Sequence, residues 1–208
     1  MNDKKVRTAV LVSGGGTNLQ ALIDAEKSNN LDGVEIVCVI SSKQGVYALE
    51  RAASAGIPSE VVDRKLFDSS EEFDRAILRV LEKYGVELVI LAGFLRILGH
   101  EVLEKYPRRI INVHPSLIPS FCGDGFYGLK VHEAALKYGV KVTGATVFYV
   151  NEITDGGEII LQKAVDVVDG DTPETLQKRV MQQAEWIILP KATVIAAKEI
   201  LKNKELSL

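Results

Sequence analysis

The chain has 208 residues, of which 47% are hydrophobic and 25% charged, and its formal net charge is -3 at pH 7. This composition is ordinary for a soluble globular protein, and we expect a single domain over residues 1–208 with a core at about 6–200. The acidic balance and the lack of a long basic run argue against nucleic acids and membrane surfaces as partners. No apolar run is long enough for a signal peptide or a membrane span, which predicts a cytoplasmic location.

Strand-like and helix-like segments alternate in the first half of the chain. Residues 6–12 form a short apolar run typical of a buried strand, and residues 17–25 have helical spacing. Further strands are predicted at 34–40, 60–62, 86–91 and 109–113, and further helices at 46–55, 71–83 and near 100–105. This alternation implies parallel strands with right-handed crossovers. We therefore predict an α/β fold with a Rossmann-like, mostly parallel sheet flanked by helices.

The second half of the chain has a different pattern. Two strand-like runs at 142–150 and 159–167 are joined by a connection that contains Asp155 and two glycines. They predict an antiparallel pair, either a hairpin or a pair at the sheet edge. A long helix is predicted to begin near Pro173, and Pro190 is the point where we expect it to kink or be interrupted.

A glycine-rich segment, Ser13-Gly14-Gly15-Gly16-Thr17-Asn18, lies between the first predicted strand and the first predicted helix. Bare backbone and the free N–H groups of a helix N-terminus suit a phosphate, and a plain turn does not need three consecutive glycines. A dinucleotide site is disfavoured, because Leu19 stands where G-x-G-x-x-G has its third glycine and Ser41-Ser42 stand where an acidic residue is expected. No Walker lysine follows the glycines. The segment therefore predicts a phosphomonoester ligand.

Asn112 and His114 stand two residues apart at the C-terminal end of a predicted strand, so their side chains project to the same side. Ligands bind at this end of the strands in open parallel sheets. A histidine in an apolar strand is often only a packed core residue. Here the second polar group and a loop bounded by Pro115 and Pro119 favour a catalytic role.

This pair of side chains suits the attack of an amine on a formyl carbon. The oxyanion would accept hydrogen bonds from the Asn112 amide and a protonated His114 ring, and losing one such donor typically lowers the rate by ~10²–10³. Histidine also carries protons near neutral pH. Asp155 is a candidate carboxylate to orient the ring, but Asp-Gly is equally a common turn pair, and the spacing leaves both interpretations open.

Several segments in the same order resemble the glycinamide ribonucleotide formyltransferases, a folate-dependent formyltransferase family. The matching segments are 13–20, 91–98, 111–119 and 143–157, with Gln182, Glu185 and Pro190 in the late helix. The resemblance implies the formyltransferase fold and an enzyme of de novo purine biosynthesis. Such an enzyme transfers the formyl group of 10-formyltetrahydrofolate to the amine of glycinamide ribonucleotide, giving formylglycinamide ribonucleotide and tetrahydrofolate.

The resemblance also implies a role for each matching position. Catalysis would use Asn112, His114 and Asp155. Glycinamide ribonucleotide would be bound by Gly16, Thr17, Asn18, Gln182 and Glu185. The formyl folate would be bound by Leu95, Arg96, Ile97, Leu98, Asn112, Asn151, Glu152, Ile153, Thr154 and Asp155. The cofactor implied is 10-formyltetrahydrofolate, as a cosubstrate, and no metal is implied.

Three features depart from the pattern of the family. Phe148 stands where the family often has histidine. Ser70 stands where a basic residue is common, so Arg64 or Lys65 is a candidate to hold the glutamate tail of the folate. Residues 120–128 replace a commoner Lys-Tyr-Pro-Gly type of segment, and their glycines predict a mobile flap.

We assign no catalytic role to the two cysteines or to the other two histidines. Cys38 and Cys122 lack metal-ligand spacing, and Cys122 has no apparent neighbouring base, so it is interpreted as incidental. His100 and His132 are interpreted as surface or packing residues.

Two other functions remain as alternatives. A formyltetrahydrofolate hydrolase would use a similar polar set with water as the acceptor, but the glycine loop and Glu185 favour a phosphorylated acceptor. A non-catalytic folate-binding or nucleotide-binding module would not need Asn112, His114 and Asp155 together. We expect small-molecule substrates as the partners and a monomer or homodimer as the assembly.

Overall fold

The computed structural model describes residues 5–206, which contain seven strands and seven α-helices. The strands are β1 Val6–Val12, β2 Val34–Ser41, β3 Ser59–Val61, β4 Leu88–Leu91, β5 Ile110–His114, β6 Val142–Tyr149 and β7 Ile159–Asp166. The helices are α1 Thr17–Lys27, α2 Tyr47–Ser54, α3 Ser70–Lys83, α4 His100–Lys105, α5 Leu129–Tyr138, α6 Pro173–Val180 and α7 Trp186–Leu206. A 3-10 turn, Arg64–Leu66, precedes α3, and a π-helical turn, Met181–Glu185, separates α6 from α7.

The strands form one sheet in the order β3-β2-β1-β4-β5-β6-β7. Neighbouring strands are parallel from β3 to β5, whereas β6 is antiparallel to β5 and β7 is antiparallel to β6. The predicted α/β fold, with its antiparallel pair at the sheet edge, is therefore confirmed. Strand bounds differ from the prediction by one or two residues, as in β3, which begins one residue earlier than expected.

The central strands are apolar on both faces because helices cover both sides of the sheet. In β1, Val10 and Val12 pack into a cluster with α1 and α7, whereas Ala9 and Leu11 pack into a cluster with α3 and α4. Burying one of the valine or leucine side chains stabilises the fold by about 1.5–3 kcal/mol relative to leaving it exposed. In the part of the chain that the structure describes, the helices are too short or too polar to cross a membrane.

The late helix begins as predicted and is interrupted at a different place. The Thr172 hydroxyl accepts a hydrogen bond from the Thr175 N–H, and Pro173 occupies the first turn of α6. Pro190 lies inside α7 without ending it, and the interruption is the π turn Met181–Glu185. A π turn holds an extra residue within one helical turn and is frequent at functional sites. The expected interruption at Pro190 is therefore wrong, whereas a kink there stays a prediction.

Candidate active site

The glycine loop leaves its backbone open at the start of α1. Gly16 adopts a φ of 70°, and no side chain caps the helix that follows it. A Cβ on Gly16 would lie 2.7 Å from the Cβ of Ala48, whereas the space around Gly14 and Gly15 is open. The first N–H groups of a helix have no partner within the helix. The loop thus presents bare backbone and a partial positive charge, which suits an anion.

Asn18 and Glu185 meet beside this loop, although they are distant in sequence. The Asn18 side-chain Nδ2 donates a hydrogen bond of 2.6 Å to Glu185 Oε2. Both residues are buried, and burial raises the pKa of Glu185 to about 7. The Oδ1 of Asn18 has no hydrogen-bond partner among the described residues. Gln182 is exposed in the same π turn as Glu185.

The carboxyl end of β5 places Asn112 and His114 side by side with β6. Asn112 lies opposite Phe148 and His114 opposite Thr146 in the antiparallel register. The His114 Nδ1 is 3.5 Å from Asp155 Oδ2, so the structure brings two of the predicted catalytic side chains together. With side-chain exposures of 6% and 10%, this contact is shielded from water. Its attraction is therefore less screened than that of a surface pair.

A carbonyl faces the other nitrogen of the same imidazole ring. His114 Nε2 is 2.9 Å from the backbone oxygen of Phe121, which belongs to the segment predicted as a flap. Asp155 Oδ2 also accepts a hydrogen bond of 2.9 Å from the N–H of Gly123. Only a protonated imidazole can donate to the carbonyl and the carboxylate at once. The ring is thus held between two acceptors, in a geometry that suits a proton carrier.

Asp155 reaches His114 because its loop folds back against β6. The connection spans residues 150–158, so Asp155 is not part of a two-residue hairpin turn. A Cβ on Gly157 would lie 1.6 Å from the carbonyl oxygen of Tyr149, so only glycine permits this close approach. Asp155 itself has a φ of 54°. Packing of the loop on the strand therefore places the Asp155 carboxylate beside His114, a contact that the Asp-Gly pair alone did not predict.

The segment after β4 exposes apolar side chains near the glycine loop. Leu95 is 52% exposed and Ile97 is 77% exposed, whereas Leu98 is buried in the core. The Leu95 N–H donates a hydrogen bond of 2.9 Å to the Ser13 hydroxyl, which ties this segment to the end of β1. The Nε of Arg96 is buried without a hydrogen-bond partner in the described chain.

The loop 150–158 is held in part by its own polar groups. Asn151 Oδ1 accepts a hydrogen bond from the Ile153 N–H, and Ile153 is 67% exposed. Glu152 lies 3.2 Å from Nδ1 of His100, and both side chains are exposed. Thr154 is exposed as well. His100 is thus a surface residue, as one of the two expectations had it.

The residues that depart from the family pattern have structural surroundings of their own. Phe148 is fully buried in the core, directly opposite Asn112. Ser70 is the first residue of α3. Arg64 donates a hydrogen bond to the Phe67 carbonyl oxygen, and Lys65 is exposed.

Two side chains outside the proposed set are inert by environment. Burial raises the pKa of the Cys122 thiol, which keeps it protonated. His132 is fully buried, and neither ring nitrogen has a hydrogen-bond partner in the described part of the chain. Burial lowers the pKa of His132 to about 4. The packing interpretation of His132 is confirmed and the surface one is wrong.

Sequence reasoning missed several groups that shape the site. The Ser13 hydroxyl is hydrogen-bonded to that of Ser42 at 2.6 Å, and these serines stand at the carboxyl ends of neighbouring strands. That shared position was the available signal. The Phe121 carbonyl and the Gly123 N–H are backbone groups, so their contacts with His114 and Asp155 could not be predicted from residue type. Arg51 contacts the glycine loop from α2, 36 residues along the chain from Gly15.

Comparison with known proteins found the following similarities. The formyl transferase family matches residues 6–193. The phosphoribosylglycinamide formyltransferase of Escherichia coli (strain K12) is 40% identical over 178 residues, covering 86% of this chain and 81% of that protein. The trifunctional purine biosynthetic protein adenosine-3 of Gallus gallus is 49% identical over 193 residues, covering 93% of this chain. This chain spans only 18% of that protein's length.

A solved structure has the same architecture. The crystal structure of glycinamide ribonucleotide transformylase 1 from Symbiobacterium toebii superposes with a TM-score of 0.88 at 41% sequence identity. The superposition covers 96% of this chain and 90% of the other.

Proposed function

Because the chain belongs to the formyl transferase family, we propose that it transfers the formyl group of 10-formyltetrahydrofolate to the amine of glycinamide ribonucleotide. The products are formylglycinamide ribonucleotide and tetrahydrofolate, within de novo purine biosynthesis. The name of the Escherichia coli relative supports this assignment. The observation that carries it is the 3.5 Å approach of the Asp155 carboxylate to His114, at the same strand end as Asn112.

The proposed chemistry begins when the lone pair of the amine attacks the formyl carbon. The carbonyl oxygen becomes an oxyanion that accepts hydrogen bonds from the Asn112 amide and from Nε2 of the protonated His114 ring, which exchanges the Phe121 carbonyl for the oxyanion. The bond from the formyl carbon to N10 of the folate then breaks. One proton leaves the attacking nitrogen and one arrives at N10, so His114 ends the cycle in the state in which it began. Asp155 fixes the orientation of the ring.

The glycine loop is the proposed phosphate site of the ribonucleotide. Gly16, Thr17 and Asn18 supply the start of α1, where uncapped N–H groups suit a phosphate. The unpartnered Oδ1 of Asn18 is an acceptor left for a substrate donor. Glu185 and Gln182 extend the same site from the π turn. A phosphorylated acceptor is therefore favoured over water.

The formyl folate is proposed to lie between the segment after β4 and the loop 150–158. Leu95, Ile97 and Ile153 are exposed apolar side chains that a flat ring would cover. Because the side chain of Leu98 is buried in the core, its contribution is assigned to its backbone. We extend the proposal to one catalytic domain at about 6–200 that acts on small molecules.

One assay of product formation tests the proposed function. The protein is mixed with glycinamide ribonucleotide and 10-formyltetrahydrofolate, and the products are separated and quantified. Formylglycinamide ribonucleotide in equal amount with tetrahydrofolate is the expected result. Formate released at a rate independent of the ribonucleotide would make the protein a hydrolase. Tight binding of both ligands without turnover would make it a binding module.

A further inference from the structure

The glycine loop has no positively charged side chain of its own. Residues 13–20 contain no lysine or arginine, although a phosphate monoester carries up to two negative charges. A P-loop meets the same demand with its own lysine. Here the cation that contacts the loop is Arg51, on the neighbouring helix α2.

Arg51 joins the glycine loop to the first turns of α1. Its Nε donates a hydrogen bond of 2.8 Å to the carbonyl oxygen of Gly15. Its Nη1 donates a second one, of 2.9 Å, to the side-chain Oε1 of Gln20 on α1. The guanidinium lies 4.7 Å above the ring of Tyr47, which restricts its orientation. One side chain therefore fixes the loop relative to the helix N-terminus.

The start of α2 supports the other two glycines as well. The Ala48 N–H donates to the Gly14 carbonyl oxygen at 3.2 Å, and the α-carbon of Gly16 approaches Ala48 so closely that no Cβ fits between them. Each of the three consecutive glycines thus meets α2. Of these contacts, the one made by Arg51 is the one that a side-chain substitution removes cleanly.

Consecutive glycines are the most flexible backbone that a chain can offer. Fixing them has an entropic cost, which weakens ligand binding if the loop is ordered only when the ligand arrives. Contacts that order the loop beforehand remove this cost from the binding step. The N–H groups of the loop are then already aimed at the position of the anion.

We propose that Arg51 is a positioning residue for phosphate recognition, which rests on the proposed function of the glycine loop. It acts by holding the Gly15 carbonyl and Gln20 in one geometry. A planar guanidinium can make both hydrogen bonds and stack on Tyr47, whereas a lysine supplies the charge without the fork. The proposal therefore predicts that charge alone does not replace Arg51.

The test compares Arg51→Gln and Arg51→Lys with a control, Arg75→Gln. The control removes an arginine on α3 whose exposed side chain contacts Glu101 on α4 and not the glycine loop. The measurements are kcat, KM for each substrate, and the inhibition constant of inorganic phosphate. Arg51→Gln is expected to raise KM for the ribonucleotide about tenfold and to weaken phosphate inhibition by a similar factor. Its kcat and its KM for the formyl folate stay within about twofold. Arg51→Lys keeps most of the defect, and Arg75→Gln has none.

Three outcomes would overturn the proposal. One is an unchanged KM for the ribonucleotide in an active Arg51→Gln variant, and another is full recovery in Arg51→Lys, which would assign the effect to charge. The third concerns Tyr47→Ala, which leaves Arg51 in place and is expected to raise the same KM by a smaller factor with an unchanged melting temperature. No rise in that variant would contradict the stacking argument. If the wild type does not use the ribonucleotide, the proposed function fails, and calorimetric titration of inorganic phosphate then decides the role of Arg51 separately.

Discussion

The candidate site has two ends that are built in different ways. The binding end is the glycine loop with Gln182 and Glu185, and the proposed catalytic end contains Asn112, His114 and Asp155. The glycine loop is local, because one turn between β1 and α1 supplies it and the adjacent helix α2 holds it. The catalytic end is assembled from three separate segments that carry His114, Asp155 and Gly123. Under the proposed function, the local loop with its backbone N–H groups sets affinity, and the convergent side chains set the rate of chemistry. Changes at the first end should therefore raise KM, and changes at the second should lower kcat.

The largest effect is expected from His114→Ala, which removes the proposed proton carrier. Because general acid–base catalysis contributes ~10²–10⁴, kcat should fall by a factor in that range. The KM for the ribonucleotide should change only a few-fold, since the glycine loop is untouched. Steady-state kinetics measures both constants. A variant with wild-type kcat would end the assignment of His114.

Gly157→Ala tests the same end without touching a proposed catalytic group. The new Cβ would lie 1.6 Å from the Tyr149 carbonyl oxygen, so the loop must shift and carry Asp155 away from His114. A displacement of about 1 Å can cost ~10² in rate. We expect kcat to fall by that order, with a melting temperature measured alongside to exclude unfolding.

The counterpart at the binding end is Gly16→Ala. Its Cβ would lie 2.7 Å from the Cβ of Ala48, and its φ of 70° disfavours any side chain. This substitution should raise KM for the ribonucleotide about tenfold and leave kcat within a few-fold. If Gly157→Ala and Gly16→Ala altered the same kinetic constant, the division between the two ends would be wrong.

The difference between local and long-range contacts explains which parts of the site could be predicted from the sequence alone. Asn112 and His114 were predictable, because a period of two places them together at a strand end where ligands bind. Asp155 was ambiguous, because its approach depends on how closely Gly157 packs against Tyr149. The π turn was missed because an i→i+5 pattern has no characteristic residue type. Local motifs thus predicted the glycine loop and the polar end of β5, whereas contacts that depend on long-range packing, such as Asn18 with Glu185 and His114 with Asp155, had to be observed.

The ionisation of Glu185 should make the stability of the fold depend on pH. Its pKa is about 7 in the fold, so between pH 4.5 and 7 the folded protein keeps a proton that the unfolded chain has lost. Stability should therefore fall as pH rises through this window, by up to about 3 kcal/mol, and stay level above it. Glu185→Gln cannot ionise, so its free energy of unfolding should lack this decline.

Urea unfolding at pH 5 and pH 8 measures this difference. The exposed Glu133→Gln is the matched control, and it should retain the wild-type decline. A decline of equal size in Glu185→Gln would show that another group causes it. In that case the buried carboxyl would not be the reason for weaker folding at alkaline pH.

The smallest effect on activity is expected from a pair outside both ends, formed by Asp171 in the turn between β7 and α6 and by Arg179 within α6. Arg179 donates two hydrogen bonds to the Asp171 carboxylate, one of them 2.6 Å long, and the side chain of Asp171 is 2% exposed. These bonds hold the pKa of Asp171 well below its usual range. Asp171→Asn should therefore cost about 1.5–3 kcal/mol of stability at pH 7 and leave kcat and KM unchanged. A lowered pKa gives stability above about pH 4 that is lost as pH falls through the folded pKa, so the difference between wild type and variant should begin to shrink below pH 4. The control is Asp32→Asn, which breaks the exposed contact with Lys198 and should cost less than about 1 kcal/mol of stability. An equal loss of stability in both variants would show that burial does not strengthen the contact between Arg179 and Asp171.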